Sequence, residues 1–296
     1  MAFFCFTNVT DSIRKILSLV QEDGREKAVL LSRSKKEGVF DLIQAQKPSL
    51  DWLSDVRVYA VNRLPAHSDH VYYGTTEEAA RRAPMAMRHS LNGMWKFQYS
   101  PNPASRPAEF YKPSFSCKGW GDIEVPGHIQ TQGHGQMQYV NTMYPWDGHE
   151  ELRPPQISQD DNAVGSYACY FEVPDAMRGK PLHISFQGVE TAFYVWLNGQ
   201  FVGYGEDSFT PSEFELTPYV RDGENKLAVE VYQRSTGAWL EDQDFWRFSG
   251  IFREVYLYTV PDIHVYDLDV RAELAPSLKE GSLEAKLTFR GQPPAG

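Results

Sequence analysis

The sequence predicts an all-β protein: a jelly-roll β-sandwich followed by the start of an immunoglobulin-like β-sandwich. Three observations carry that reading. Short runs of alternating apolar and polar residues recur at near-regular spacing, Asn-Gly and Asp-Gly turns separate them, and aromatics make up 14% of the 296 residues. That composition suits pleated, half-buried surfaces, and short strands with turn residues between them are the mark of sandwiches and jelly rolls. The chain is also long enough to bury a sizeable core.

The first 45 residues read differently from the rest. Ile13, Ile16, Leu17 and Val20 recur at helical spacing behind Asp11, Gly24 stands where such a helix would end, and the polar, basic run Arg33-Ser34-Lys35-Lys36-Glu37 follows. Residues 1–45 are therefore expected to be a weakly ordered extension with a short helix, and residues 46–261 the jelly-roll domain. Within that domain, Thr75 to Arg81 reads as one helical turn with a threonine cap. Asn92-Gly93 turns the chain into a strand on which Trp95, Phe97 and Tyr99 alternate, and Ile123–Val125 is a short strand stopped by Pro126-Gly127.

The stretch from His128 to Gly165 has no periodicity. Loops of that length in compact domains are functional or disordered, and Tyr139, Tyr144 and Trp146, with the amide of Asn141, argue for an ordered loop that touches something. Strands resume around Tyr167–Val173 and Leu182–Phe186, and Phe193–Leu197, Asn198-Gly199 and Gln200–Tyr204 give the strongest hairpin signal. Asp222-Gly223 leads into Leu227, Val229 and Val231, and Val255–Tyr258 closes the domain. Beyond Pro261 only two further strands follow, too few for an independent sheet. Residues 262–296 are thus expected to be the truncated start of a second domain, and the chain a fragment.

With 29 basic and 39 acidic residues the net charge is −10, which argues against nucleic acid or an anionic membrane as the main partner. The N-terminus lacks a basic n-region, no run reaches transmembrane length, and Cys5, Cys117 and Cys169 are too scattered for a disulfide framework, so a cytoplasmic setting is expected. There is no Gly-x-Ser-x-Gly elbow, phosphate loop, His-Glu-x-x-His or dinucleotide fingerprint, and His128, His134 and His149 show no metal-ligand spacing. The chemistry concentrates in Leu240–Val255, where Glu241, Asp242 and Asp244 adjoin Phe245 and Trp246 and two arginines, Arg247 and Arg253. Acceptors beside an aromatic platform suit a sugar. An ion-paired strand entry, with the arginines neutralising the acids, suits the same residues. Glycoside hydrolysis needs two flanking carboxyls about 5–10 Å apart, and clustered acids beside arginines are more often binders or structure.

The ordered set Val61–His67, Leu91–Phe97, Val125–His128, Tyr139–Pro145, Gly188–Phe193, Trp196–Gly199, Val202–Tyr204 and Leu240–Arg247 resembles the N-terminal part of the large bacterial β-galactosidases of glycoside hydrolase family 2. Residues 1–45 depart from that pattern, which begins near Trp52. The resemblance implies a sugar-binding jelly roll, the opening of an immunoglobulin-like domain, and a catalytic barrel of the same protein beyond Gly296 that carries both catalytic glutamates and a Mg2+ site. No catalytic residue is then expected in this chain, which alone would be inactive. Asn141 and Asp244 are the implied substrate-binding residues, with Asp244 also a Na+ ligand. The implied substrate is a β-galactoside such as lactose, cleaved with retention, and the full-length enzyme is expected to be a homo-oligomer. Glu241 and Asp242 become support paired with the nearby arginines, and Trp246 a packing residue under the loop. The alternative is a free-standing carbohydrate-binding module.

Overall fold

The computed structural model describes residues 47–69, 71–141, 143–242 and 244–291, together with the backbone of Phe4–Cys5. The helix expected around Ile13–Val20 lies outside the described residues. Among the described residues no helix is long and apolar enough to cross a membrane. The strands are β1 (Phe4–Cys5), β2 (Ala60–Val61), β3 (Tyr72–Tyr73), β4 (Arg88–Ser90), β5 (Gly93–Ser100), β6 (Gly121–Val125) and β7 (Tyr139–Val140). They continue as β8 (Val164–Glu172), β9 (Leu182–Phe186), β10 (Val189–Glu190), β11 (Ala192–Leu197), β12 (Gln200–Glu206) and β13 (Ser212–Glu215). The last are β14 (Glu224–Tyr232), β15 (Phe245–Trp246), β16 (Gly250–Ile251), β17 (Val255–Thr259), β18 (His264–Leu274) and β19 (Gly281–Arg290).

The chain divides into two compact units, one containing the described residues of 47–64 and 89–258, the other those of 65–88 and 259–291. Residues 65–88, expected inside the jelly roll, therefore cluster with the C-terminal strands. The larger unit is the β-sandwich that the alternation predicts. Its seven-stranded sheet has the order β2-β12-β11-β14-β8-β5-β6 and its four-stranded sheet the order β13-β9-β17-β4.

The central strand β11 explains why the sequence there is continuously apolar. Phe193, Val195 and Leu197 point into the core shared with Ile184, Phe186, Phe214 and Leu257. Ala192, Tyr194 and Trp196 point the other way, into a second cluster with Trp52, Phe110 and Tyr204. A strand covered on both faces has no polar face to show. Asn198 (φ 52°) and Gly199 (φ 88°) join β11 to β12 with the two positive φ angles that a two-residue hairpin of this twist requires. At Gly203 a Cβ would meet the Phe214 ring at 2.4 Å and the Val61 carbonyl at 2.7 Å, so the sandwich closes there only over glycine. The proline-broken segment after Pro101 is held by Lys226, whose Nζ donates to the carbonyls of Phe110 (2.6 Å), Lys112 (3.0 Å) and Phe115 (2.8 Å).

In the smaller unit, the helix Thr76–Arg81 starts at a capping box: Thr75 Oγ1 accepts from the Glu78 amide at 3.1 Å, and Glu78 Oε2 accepts from the Thr75 amide at 3.2 Å. Thr75→Ala is expected to lower the stability of this unit by about 1 kcal/mol, measured by urea unfolding, because the Glu78 amide loses its acceptor and water replaces it incompletely. Strands β18 and β19 pair antiparallel from His264↔Arg290 to Leu274↔Gly281. The Tyr72 hydroxyl donates to the Val265 carbonyl at 2.7 Å, and the Leu268 amide to Ser68 Oγ at 2.8 Å.

Candidate functional site

The acidic stretch does not enter the sheet as a strand. Ala238–Glu241 forms a helical turn, closed by the Asp242 amide on the Ala238 carbonyl at 3.0 Å. The reason lies at Glu206, a buried carboxylate that accepts from Tyr204 Oη (2.6 Å), Thr236 Oγ1 (2.7 Å), the Gly237 amide (3.1 Å) and Ser235 Oγ (3.2 Å). Those bonds fix the chain reversal from which the turn starts. Glu241 and Asp242 consequently share no strand face with Asp244.

Each acid then has its own surroundings. Glu241 accepts from the Ser208 amide at 3.0 Å and Ser208 Oγ at 2.6 Å, and no arginine pairs with it among the described residues; burial raises its pKa, and the serine bonds oppose that. Asp242, 3% exposed, lies 3.7 Å from Arg247 Nη1 and 3.9 Å from Arg234 Nη1. Burial pushes its carboxyl up to about 6, against the pull of both arginines. The expected pairing with arginine therefore holds for Asp242 and fails for Glu241.

Asp244 emerges beyond this buried pair. Strand β15 pairs antiparallel with β7, Phe245 opposite Val140 and Trp246 opposite Tyr139. Asn141 directly follows β7 and Asp244 directly precedes β15, so the two flank the same end of that ladder. Both are exposed. Tyr139 Oη donates to Asp244 Oδ1 at 2.8 Å, and this bond is the main reason the phenol pKa is raised. The two residues singled out from separate motifs are thus brought together by a two-residue ribbon, with Tyr139 as a lock that the sequence reading did not assign.

Trp246, expected to pack under the loop, is 48% exposed. Its ring lies 5.7 Å from Phe248 and within 6° of parallel, Phe248 stacks on His128 at 4.6 Å, and His128 stacks on Phe252 at 5.0 Å. The ribbon runs over the surface, so both its residues stay open and the buried position passes to the next residue, Arg247, 1% exposed. Behind the stack, Glu190 is 2% exposed with Oε2 3.8 Å from His128 Nδ1. Burial, reinforced by the charges of Asp242 and Glu241, pushes its carboxyl up to about 8.

No three His, Cys, Asp or Glu side chains converge as a metal cluster among the described residues. Asp244 fits a hard monovalent cation as one ligand of several, since Oδ1 is engaged by Tyr139 and the exposed carboxylate still offers Oδ2. The remaining oxygens would come from elsewhere.

The family model described as "Glycosyl hydrolases family 2, sugar binding domain" matches residues 88–261, more than half of the chain. A β-galactosidase of Halalkalibacterium halodurans is 70% identical over 242 residues, covering 82% of this chain and 24% of that protein. A β-galactosidase of Clostridium acetobutylicum is 57% identical over 245 residues, covering 83% of this chain and 27% of that protein. The β-galactosidase large subunit of Leuconostoc lactis is 49% identical over 257 residues, covering 83% of this chain and 41% of that protein. Among solved structures, a Bifidobacterium dentium β-glucuronidase complexed with coumarin-3-O-glucuronide aligns with a TM-score of 0.51 at 22% identity, over 70% of this chain and 36% of that one, a likeness of fold. The chain spans between about a quarter and two-fifths of the length of these curated relatives. The sandwich and the sugar-binding-domain match that covers most of it place this chain in glycosyl hydrolase family 2.

Proposed function

We propose that this chain supplies one wall of the galactose pocket of a retaining β-galactosidase acting on terminal β-galactosides such as lactose, with the catalytic carboxyls and a Mg2+ site on a barrel contributed by the rest of the protein. The observation that supports it is the pairing of β7 with β15, since Asn141 follows the one strand and Asp244 precedes the other, at the same end of the ribbon and both exposed. An amide donates and accepts at once, and a carboxylate accepts from hydroxyls, which is the donor and acceptor set a sugar edge needs. Trp246 offers an open aromatic face beside them for the sugar's C–H surface.

A retaining glycosidase needs two carboxyls roughly 5–5.5 Å apart, one to protonate the leaving oxygen and one to attack. Asp242 is held among arginines and Glu241 by Ser208, so neither presents a carboxyl to a substrate, which supports chemistry supplied from outside this chain. A sodium ion, when bound, would add positive charge at the galactosyl 6-hydroxyl, with Asp244 as one of its oxygen ligands. In this reading the full protein is a cytoplasmic homo-oligomer.

Chromogenic galactoside hydrolysis tests the reading. The purified 296-residue chain is expected to give no turnover, and the protein carrying the remainder of the relatives' length to be active. Turnover by the chain alone would place the chemistry here and overturn the assignment. The exposed Trp246 face keeps a carbohydrate-binding module as the second reading. Calorimetric binding of galactose by the isolated chain tighter than about 1 mM would favour that module.

A further inference from the structure

Arg247 sits where the two halves of the proposed pocket meet. Its side chain is buried, and Nη2 donates to the carbonyls of Val140 (3.1 Å) and Met143 (3.5 Å), the residues that bracket Asn141. Its amide donates to the Gln138 carbonyl at 2.8 Å, and its own carbonyl accepts from Gln233 Nε2 at 3.3 Å. Nη1 faces Asp242 Oδ1 at 3.7 Å. Asp242 in turn lies near Arg234, which donates from Nη2 to Asp161 Oδ2 at 2.9 Å and from Nε to the Asp161 carbonyl at 2.8 Å. One residue therefore ties together the loop bearing Asn141, the strand that Asp244 leads into and a buried acid.

Burying a guanidinium costs free energy unless its donors are used. An apolar side chain would fill the same volume without that cost, but it would hold no carbonyl. Lysine would bring a single nitrogen, and so could not set one nitrogen on the carbonyls, as Nη2 is, while a second faces Asp242, as Nη1 does. Among the described residues of the loop from Gln138 to Met143, only Tyr139–Val140 lies in a strand. We propose that Arg247 is a positioning residue: it holds the Asn141 loop against the Asp244 strand, through backbone carbonyls, without touching the sugar itself. This rests on the galactose-pocket reading above.

The test is a double-mutant cycle in the complete protein, read as kcat/KM for a chromogenic β-galactoside. Arg247→Ala is expected to lower kcat/KM roughly tenfold, and Asn141→Ala added to it to cost little more, because the amide is already misplaced. Free guanidinium in the assay is expected to restore part of the Arg247→Ala loss and none of the Asn141→Ala loss. Arg247→Lys, which keeps the charge and secures the fold if the alanine variant fails to accumulate, is expected to raise KM with a smaller change in kcat. Fully multiplicative losses in the cycle, or an Arg247→Ala loss that guanidinium leaves unchanged while the unfolding temperature drops, would assign Arg247 a merely structural role and overturn the proposal with the pocket intact. Full activity in both Asn141→Ala and Asp244→Ala would overturn the pocket itself, and the positioning role with it.

Discussion

Asp244→Asn in the complete protein is expected to lower kcat/KM for a chromogenic β-galactoside by roughly 10- to 150-fold, corresponding to the loss of a charged hydrogen-bond acceptor worth about 1.5–3 kcal/mol. The substitution keeps the shape of the side chain, removes its charge and turns one acceptor oxygen into a donor, so the loss reads the charged acceptor. Because Asp244 is exposed and lies on a surface ribbon, the stability of the chain should change by no more than about 0.5 kcal/mol. The phenol of Tyr139 supplies an internal check on the isolated chain. Its pKa is raised chiefly by the hydrogen bond to Asp244, so spectrophotometric titration should show one tyrosine moving down in Asp244→Asn. The same variant should lose whatever dependence of KM on sodium the parent protein shows, since the neutral amide is a poorer ligand for a hard cation. Activity within about twofold of the parent, with the tyrosine shifted as expected, would mean that the carboxylate is placed as described and binds no substrate.

The sandwich was legible because its signals are local. Alternation along β5 and the Asn198-Gly199 turn each follow from a few neighbouring residues, and the structure keeps them. What failed to show in the sequence depends on partners far along the chain. The helical turn at Ala238–Glu241 is set by Glu206, which no periodicity connects to it. The ribbon between β7 and β15 joins two residues to two others across a long intervening stretch, too short a ladder to leave an alternating pattern. Trp246 reads in sequence as a packing residue under the loop, yet on a two-residue ribbon it is the following Arg247 that turns inward. That inversion could be suspected only from the adjacency of an arginine to acids, which here is the visible trace of the Arg234, Asp242 and Arg247 cluster. The separation of residues 65–88 from the jelly roll had no such trace, since their elements are short and their partners lie beyond Thr259.

Unfolding free energy should decline as pH rises from about 7 to 8, and Glu190→Gln should remove much of that decline. Glu190 stands on β10, 2% exposed, its backbone paired with Gly250. Burial pushes its carboxyl from 4.5 up to about 8; Asp242 and Glu241 add to the shift and Arg247 opposes it. The sign follows from proton counting. Between those two values the folded chain keeps the proton while the unfolded chain has lost it, so the native state binds more protons and stability falls with rising pH, by up to about 1.4 kcal/mol per pH unit. The neighbouring titrations fall elsewhere. Asp242, pushed up to about 6, has completed its own decline near that pH. His128, lowered by burial from 6.5, contributes with the opposite sign and is spent above that value. The difference between the parent chain and Glu190→Gln across pH 6 to 8 therefore isolates one carboxyl, and urea unfolding should show the variant gaining about 2 kcal/mol relative to the parent over that interval. Parallel pH profiles for the two proteins would mean that Glu190 is already ionised in the folded state. It would then have to be paired with a protonated His128 at the observed 3.8 Å, and the variant should instead lose stability below pH 6.5, where that imidazolium would be charged.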